Sequence, residues 1–321
     1  MTSKDKYREF CKIEKTIPIF SKDWWLDAAC GENNWDVILI ERNGEIIASF
    51  PYFSKKKFGL KVLTMPKLTQ KIGPWIRYPN GITLSEKLSH EKKIFSELIK
   101  KLPKHDLFRQ NFNYTITNWL PFYWLGFEQT TRYKYLIEDL SDLNKVFLNI
   151  EKDQGRCILK AQKQLEVYSS NDLLALYKLV GFVFRRQNKN IPYTFEYLSM
   201  IDSACVMNNS RIILFAKDNF NNIHAGLYIV FDDISAYGLV SGFDRKFKKS
   251  NARSLLLWEG IRYSSKRVNI FDFQGSMLEG VEEHFRSFGA AQKSYFLITR
   301  MSQRMKIVNS IMNIVKCLVK R

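Results

Sequence analysis

The segment FDFQGSMLEGVEEHFRSFGA (271–290) places an acid and a hydroxyl between a predicted strand and a predicted helix. Phe271 and Phe273 fall on one face of the strand, so Asp272 projects from the other face. Asp272 and Ser276 then lie at the carboxyl edge of the strand, where open sheets place ligands. A carboxylate and a hydroxyl there suit amine binding or proton acceptance. In the alternative interpretation, the two side chains only cap a turn.

Two further candidates lie in ISAYGLVSGFD (234–244), the last strand of a predicted meander. Tyr237 projects from this strand and offers a hydroxyl that can protonate a leaving group, although a strand tyrosine is equally a core residue. Asp244 follows the strand end, where it is either a site carboxylate or the first residue of a turn. The predicted catalytic residues are therefore Asp272, Ser276, Asp244 and Tyr237.

Substrate-binding candidates occur at two places. The residues Arg185, Arg186 and Gln187 end a predicted helix, where paired guanidinium groups can hold a phosphate or carboxylate. Alternatively, these basic residues only stabilise the helix C-terminus. Trp75 and Tyr78, in the loop KIGPWIRYPNGI (71–82), line an acceptor groove for a sugar or simply pack. His284, on the helix at 281–288, is expected to be exposed.

The composition limits the protein class. Hydrophobic residues make up 45% of the 321 residues, which is ample material for a core, and the net charge of +18 favours polyanionic partners such as nucleic acid, anionic lipid or phosphorylated compounds. The five cysteines are scattered and form no CxxC pair, which argues against a disulfide framework and a zinc site. With four scattered histidines, no metal site is expected. The N-terminus lacks an apolar signal region and no window approaches a membrane span, so we expect a cytoplasmic protein.

Hydrophobic patterning predicts a mixed α/β fold. In the first half, WDVILIERNGEIIASFPYF (35–53) indicates a hairpin with a tight turn at Asn43-Gly44. A strand at 60–65, an amphipathic helix at 90–102, a strand at 106–114 and an aromatic loop with a strand at 118–140 follow. The second half carries helices at 141–150 and 157–165, with a break at Gly155, and then 170–187 and 195–208. The remaining predicted elements are a meander (211–217, 224–232, 234–244), a helix (253–266), a strand (268–273), a helix (281–288) and a strand (294–299).

This order of elements resembles the GNAT acyltransferase fold and, more specifically, its Fem-type branch, in which two such domains stand in tandem. The residues that carry the resemblance are NWLPFYWLGFEQTTRYKYLIEDL, FVFRRQNKNIPYTFEYL, SLLLWEGIRYS and FDFQGSMLEGVEEHFRSFGA. It implies an α/β protein of two GNAT-like domains, each a mixed, largely antiparallel sheet flanked by helices. The expected domains are 1–140 and 141–300, the second with a helical insertion at 141–208.

The resemblance also implies a reaction, the transfer of an acyl group from acyl-CoA, such as acetyl-CoA, to an amine on an amino sugar or a cell-envelope precursor. The phosphates of the donor would lie at the start of the helix after RKFKKSNARS (245–254), near Ser250, Asn251, Ala252 and Arg253. The family's phosphate loop has a Gln or Arg followed by two glycine-like positions. Here Phe247, Ser250 and Ala252 stand at these three places, and only the last fits. An aminoacyl-tRNA donor, as in Fem-type peptidoglycan enzymes, therefore remains open, as does a binding module without catalysis.

The segment 301–321 predicts an amphipathic helix. Met301, Met305, Val308, Met312, Val315 and Val319 recur at helical spacing, bordered by Lys306, Lys316, Lys320 and Arg321. This helix either docks on the protein's own surface or rests on an anionic membrane face.

Overall fold

The computed structural model describes the backbone of residues 1–275 and 277–319, and the side chains of 1–275 and 277–312. Ser276, Lys320 and Arg321 lie outside the described residues, as do the side chains of Val315, Lys316 and Val319. The chain forms two compact units, one of Met1–Arg132 with Ser294–Arg321 and one of Tyr133–Lys293.

Helices and strands alternate along the whole chain, and the predicted mixed α/β class is confirmed. The first part contains α1 Ser3–Ile13, α2 Asp23–Cys30, β1 Trp35–Arg42, β2 Glu45–Lys57, β3 Leu60–Thr64, β4 Trp75–Ile76, α3 Leu84–Lys100, β5 Leu107–Asn111, α4 Leu120–Trp124 and β6 Glu128–Ile137. The second part contains α5 Leu143–Leu148, α6 Lys152–Gln162, β7 Glu166–Ser169, α7 Leu173–Arg186, α8 Phe195–Met207, β8 Arg211–Lys217, β9 Ile223–Phe231, β10 Ser235–Phe243, α9 Ala252–Ser264, β11 Ile270–Gly275, α10 Glu279–Arg286, β12 Ala291–Met301 and α11 Gln303–Val319.

The sheet of the first unit runs in the order β1-β2-β3-β5-β12, with β4 on β2. The predicted hairpin is confirmed, since β1 pairs with β2 in antiparallel register and both Asn43 (φ 52°) and Gly44 (φ 79°) take the left-handed conformation of a type I′ turn. Phenylalanines from β2, α3, β5 and α4 form the centre of the core; they include Phe50, Phe95, Phe108 and Phe122. Phe50 makes edge-to-face contacts with Phe108 and Phe122, and Phe95 packs against Phe122 with its ring tilted by 47°.

The sheet of the second unit runs in the order β6-β11-β10-β9-β8-β7. Its strands pair antiparallel except β10 and β11, which are parallel and are joined through α9. Two glycines allow the helices to lie close to this sheet. A Cβ on Gly260 of α9 would come within 2.7 Å of Ile229 Cδ1, and a Cβ on Gly242 of β10 would lie 2.4 Å from the backbone of Leu179 and Val180 in α7.

The structural division differs from the predicted domains at the final strand. We expected residues up to 300 in the second domain, but β12 hydrogen bonds to β5, with Leu297 to Met301 opposite Asn111 to Leu107. This pairing places the strand in the first unit. A contact between segments so distant in sequence leaves no local signal.

Two local predictions are wrong. Gly155 lies inside α6 and is buried, so it does not break the helix. Helix α3 begins at Leu84, ahead of the predicted start at 90, because Thr83 and Glu86 form a reciprocal capping box. The strand β7 and the helices α1 and α2 were not predicted.

Candidate active site

A pocket of about 220 Å³ opens in the second unit where β10 ends and α9 begins. The residues that line it come from α7, β9, β10, the segment before α9, the first turn of α9, and α10. They are Arg186, His224, Phe243, Phe247, Lys248, Asn251, Ala252, Arg253, Ser254 and His284. The lining combines five basic or imidazole side chains from separate elements with two phenyl rings, and it contains no acidic residue.

The chain reaches α9 through a defined turn. Asp244 Oδ1 accepts a hydrogen bond from the Lys246 N–H (2.9 Å), and residues Arg245–Ser250 form a 3₁₀ helix. Asn251 then takes the left-handed conformation (φ 57°), which asparagine tolerates better than most residues, and it forms no side-chain cap on α9. Because the first N–H groups of a helix lack intrahelical acceptors, the uncapped start of α9 leaves donors at the pocket.

Two guanidinium groups converge on one ring in this pocket. Arg253 lies 4.9 Å and Arg186 lies 5.6 Å from the centroid of Phe243, both within cation–π range. No described carboxylate forms an ion pair with either of them. Burial, and next the charge of Arg186, lower the pKa of Arg253. Two such cations held together without a carboxylate form a site for an anion.

His284 adds a neutral imidazole to these cations. Burial, and next the charge of Arg253, lower the pKa of His284 to about 4. Its Nε2 atom is buried and has no hydrogen-bond partner among the described residues. The expectation that His284 is exposed is therefore wrong, and at neutral pH the ring offers an uncharged donor or acceptor to a bound molecule.

His224 lies on another part of the lining and is held in place on two sides. Its ring stacks on Phe247 with 3.9 Å between ring centroids and 6° between planes. Its Nε2 lies 3.2 Å from Asp218 Oδ2, whereas the buried Nδ1 has no partner in the described part of the chain. Phe247 stands where the resemblance implies a Gln or Arg in the phosphate loop, and its ring packs on His224 instead.

Asp272 does not lie in the pocket. Its carboxylate is 1% exposed, accepts a hydrogen bond from the Gln274 N–H (2.8 Å) and forms an ion pair with Lys134, which is 3% exposed. The pocket at the start of α9 thus does not include Asp272, whose carboxylate neutralises a buried ammonium group. Its predicted neighbour Ser276 lies outside the described residues.

Tyr237 and Asp244 also have structural partners. The Tyr237 hydroxyl donates to Asp232 Oδ2 (2.6 Å), and burial raises the pKa of Tyr237 well above its usual value. Tyr237 is the register partner of Asp272 across the parallel strands, so these two predicted residues are neighbours. Asp244 caps the 3₁₀ helix, and the Ser250 hydroxyl donates to the carbonyl oxygen of Phe247 (2.7 Å).

The remaining candidates divide between the units. Arg185 lies over Phe182, 4.9 Å from its ring centroid, and Gln187 is exposed at the end of α7. In the first unit, Trp75 Nε1 donates to Thr16 Oγ1 (2.8 Å), and the Tyr78 hydroxyl donates to Glu91 Oε1 (2.7 Å). Of all the predicted residues, Arg186, Asn251, Ala252 and Arg253 line the pocket.

The sequence analysis did not identify His224, Phe243 and His284 as site residues. For His284 a signal was present, since position 284 falls on the same helical stripe as Val281, Phe285 and Phe288. For His224 and Phe243 no local pattern distinguishes a pocket residue from a core residue. No group of three or more His, Cys, Asp and Glu side chains within the described residues is arranged to hold a metal ion.

The overall structure is similar to several solved structures. FemX superposes with a TM-score of 0.69 at 12% identity, over 92% of this chain and 96% of that one. The chain has the Fem-type fold. The same fold relates it to L-PGS from Bacillus licheniformis (TM-score 0.55, 11% identity, 95% of this chain and 94% of that one). The C-terminal domain of a putative lysylphosphatidylglycerol synthetase from Agrobacterium fabrum is similar as well (TM-score 0.56, 8% identity, 97% of this chain and 96% of that one).

The likeness to these Fem-type structures is one of fold. No protein-family model matches the sequence, and no curated protein matches it. Within the described part of the chain, no helix is long and apolar enough to cross a membrane.

Proposed function

We propose that this chain is a transferase that moves an acyl group from acyl-CoA to an amine. The observation that carries the proposal is the pocket at the start of α9, where Arg186 and Arg253 converge without a carboxylate partner among the described residues. A donor with phosphate groups supplies the negative charge that this site lacks. Helix N–H groups and guanidinium groups then bind the same anion from two sides.

The strands beside the pocket support the acyl-transfer step. Pairing between β10 and β11 covers only Ser235–Tyr237 and Ile270–Asp272 among the described residues. Beyond Tyr237, the edge of β10 toward β11 can therefore offer backbone N–H groups to a developing oxyanion. Such donors, together with correct positioning of donor and acceptor, supply most of what amide formation needs from a protein.

The amine must also lose a proton. His284 is a weak base for this task, since its pKa of about 4 lies well below a neutral operating pH. We assign it to hydrogen bonding with the donor and leave deprotonation of the amine to solvent. The proposed acceptor is an amino sugar or another cell-envelope precursor, and the +18 net charge suits an anionic one.

An aminoacyl-tRNA donor is the second candidate. FemX and L-PGS share the fold, and the Fem-type resemblance implies aminoacyl-tRNA as donor. The segment before α9 favours this candidate too, because Ser250 at the end of the 3₁₀ helix stands at a glycine-like position of the phosphate loop, and a side chain there hinders the close approach of a pyrophosphate to the backbone. With either donor, the pocket would bind phosphate groups.

The two donors and a purely binding role can be separated with purified protein. The measurements are the shift of the melting temperature and the transfer rate with acyl-CoA, with charged tRNA and with uncharged tRNA. We expect Arg186→Gln and Arg253→Gln each to weaken binding of the active donor by about 10–100-fold, the range of one or two charge-assisted hydrogen bonds. Arg185→Gln is the matched control, since Arg185 is equally exposed on the same helix but does not line the pocket.

Each outcome decides between the candidates. Turnover with acyl-CoA alone supports the proposal, and turnover with charged tRNA alone supports the second candidate. Stabilisation by a donor without turnover identifies a binding module. If neither donor shifts the melting temperature, or if Arg185→Gln weakens binding as much as Arg253→Gln, the pocket is not the donor site.

A further inference from the structure

Helix α11 is attached to the first unit at its start. The Ser302 N–H donates to the carbonyl oxygen of Asp106 (2.8 Å), and the Ser302 hydroxyl donates to Asp106 Oδ1 (3.0 Å). Ser302 Oγ in turn accepts the Met305 N–H (3.2 Å), and the Met305 side chain is buried. From Lys306 to Met312 no side chain is buried. The helix continues to Val319, which gives its 17 residues a length of about 25 Å.

Between Met305 and Met312, the protein covers one edge of the apolar face of α11. Met305, Val308 and Met312 fall at i, i+3 and i+7, and they are buried or half-buried. The next stripe of the helix surface carries Ile307 and Ile311 at i and i+4, and these side chains are 61% and 56% exposed. Two large aliphatic side chains beside each other in water mark a surface for a partner.

The charge around this face selects the class of partner. From Ser302 to Arg321 the sequence contains five basic residues and no acidic residue. A second copy of the helix would bring the same positive charge against itself without a carboxylate to pair with it. A surface of anionic lipid headgroups instead attracts every one of these cations, while its acyl region accepts isoleucine side chains.

We infer that α11 binds an anionic lipid surface through Ile307 and Ile311, with Arg304 and Lys306 beside the headgroups. The helix would lie in the plane of the interface, tethered to the first unit through Ser302 and Asp106. This places the protein at a membrane surface through an amphipathic helix. The inference is independent of the donor pocket, and its readout is lipid binding rather than transfer.

Flotation of the full chain with vesicles tests the inference. We expect binding to vesicles of phosphatidylcholine mixed with phosphatidylglycerol, little binding to phosphatidylcholine alone, and release by added salt. Ile307→Gln/Ile311→Gln should lower the partition coefficient about tenfold or more, since two large aliphatic side chains no longer enter the lipid. Lys306→Gln should lower it about fivefold, the share of one cation near an anionic surface.

The matched control is Ile13→Gln/Leu148→Gln, which removes two exposed aliphatic side chains from the ends of α1 and α5. It should bind vesicles like the parent protein, and Ile307→Gln/Ile311→Gln should retain the parent's melting temperature. Absence of binding to phosphatidylglycerol vesicles overturns the inference. A second result also overturns it. If light scattering shows that the parent protein is a dimer, and if Ile307→Gln/Ile311→Gln converts it to a monomer without changing vesicle binding, the face is a contact between copies.

Discussion

Replacing Asp272 with asparagine separates a structural from a catalytic role for the acid between Phe271 and Phe273. The side chains of Asp272 and Lys134 are 1% and 4% exposed, so their ion pair is almost completely removed from water. Asp272→Asn keeps the side-chain shape and its acceptor for the Gln274 N–H, but the Lys134 ammonium loses its carboxylate. Breaking a buried pair from one side typically costs about 3–5 kcal/mol.

We therefore expect Asp272→Asn to lower the free energy of unfolding by about 3 kcal/mol, at the lower end of that range because the amide oxygen still accepts a hydrogen bond. For a unit of this size the corresponding drop in melting temperature is roughly 6–12 °C. Calorimetry of the full chain measures it, and Glu41→Gln serves as the control. Glu41 pairs with Lys6 at the surface, where the same change should cost about 1 kcal/mol or less.

The second half of the test is the double variant Lys134→Met/Asp272→Leu. Removing both charges should recover most of the lost stability, because a well-packed apolar pair is often equivalent to a buried ion pair. The reasoning is refuted if Asp272→Asn has the melting temperature of the parent protein while its transfer rate falls about 100-fold or more, the usual contribution of general acid–base catalysis. Asp272 would then act on the acceptor amine, as the sequence alone predicted.

Two other predictions concern the pocket and the packing of the second unit. Because the pKa of His284 falls from 6.5 in the unfolded chain to about 4, the unfolded state binds a proton between these pH values and the folded state does not. Stability should therefore fall by up to about 3 kcal/mol as the pH drops through that window, and His284→Gln should abolish this part of the fall in urea titrations. Gly242→Ala should lower the free energy of unfolding by about 1–3 kcal/mol or more, because the added Cβ would lie 2.4 Å from the α7 backbone. Gly238→Ala is the control, since the space around Gly238 is open, and its free energy of unfolding should stay within about 0.5 kcal/mol of the parent's. Equal effects of the two variants would refute the packing argument.

Features encoded over a few residues could be predicted from the sequence. The hairpin at Asn43-Gly44 depends on two residues that accept positive φ, and the meander of β8, β9 and β10 depends on continuous apolar strands. The basic segment before α9, which the resemblance placed beside the donor phosphates, contributes Phe247, Lys248 and Asn251 to the lining of the pocket. In each case the physical cause acts within one turn or one strand.

Features that join distant residues could not be predicted. Lys134 lies 138 residues from Asp272, and the hydrophobic periodicity of the sequence does not indicate that a lysine on one strand will neutralise an acid on another. The same holds for Arg186 and Arg253, which meet over Phe243 because α7 and α9 both pack against the sheet of the second unit. The sequence identified both arginines as candidates but did not show that they lie over the same ring.

The pairing of buried cations with carboxylates in the second unit explains why this pocket is the strongest candidate site. Arg211, with 12% of its side chain exposed, pairs with Asp202, and the buried Lys134 pairs with Asp272. Each of these two cations is thus neutralised by a carboxylate, because a charge that is removed from water without a partner is costly. Arg253 is largely withdrawn from water and has its pKa lowered by burial and by Arg186, yet no described carboxylate neutralises it. A bound anion would offset that cost, and the phosphate groups of the proposed donor are anions of this kind.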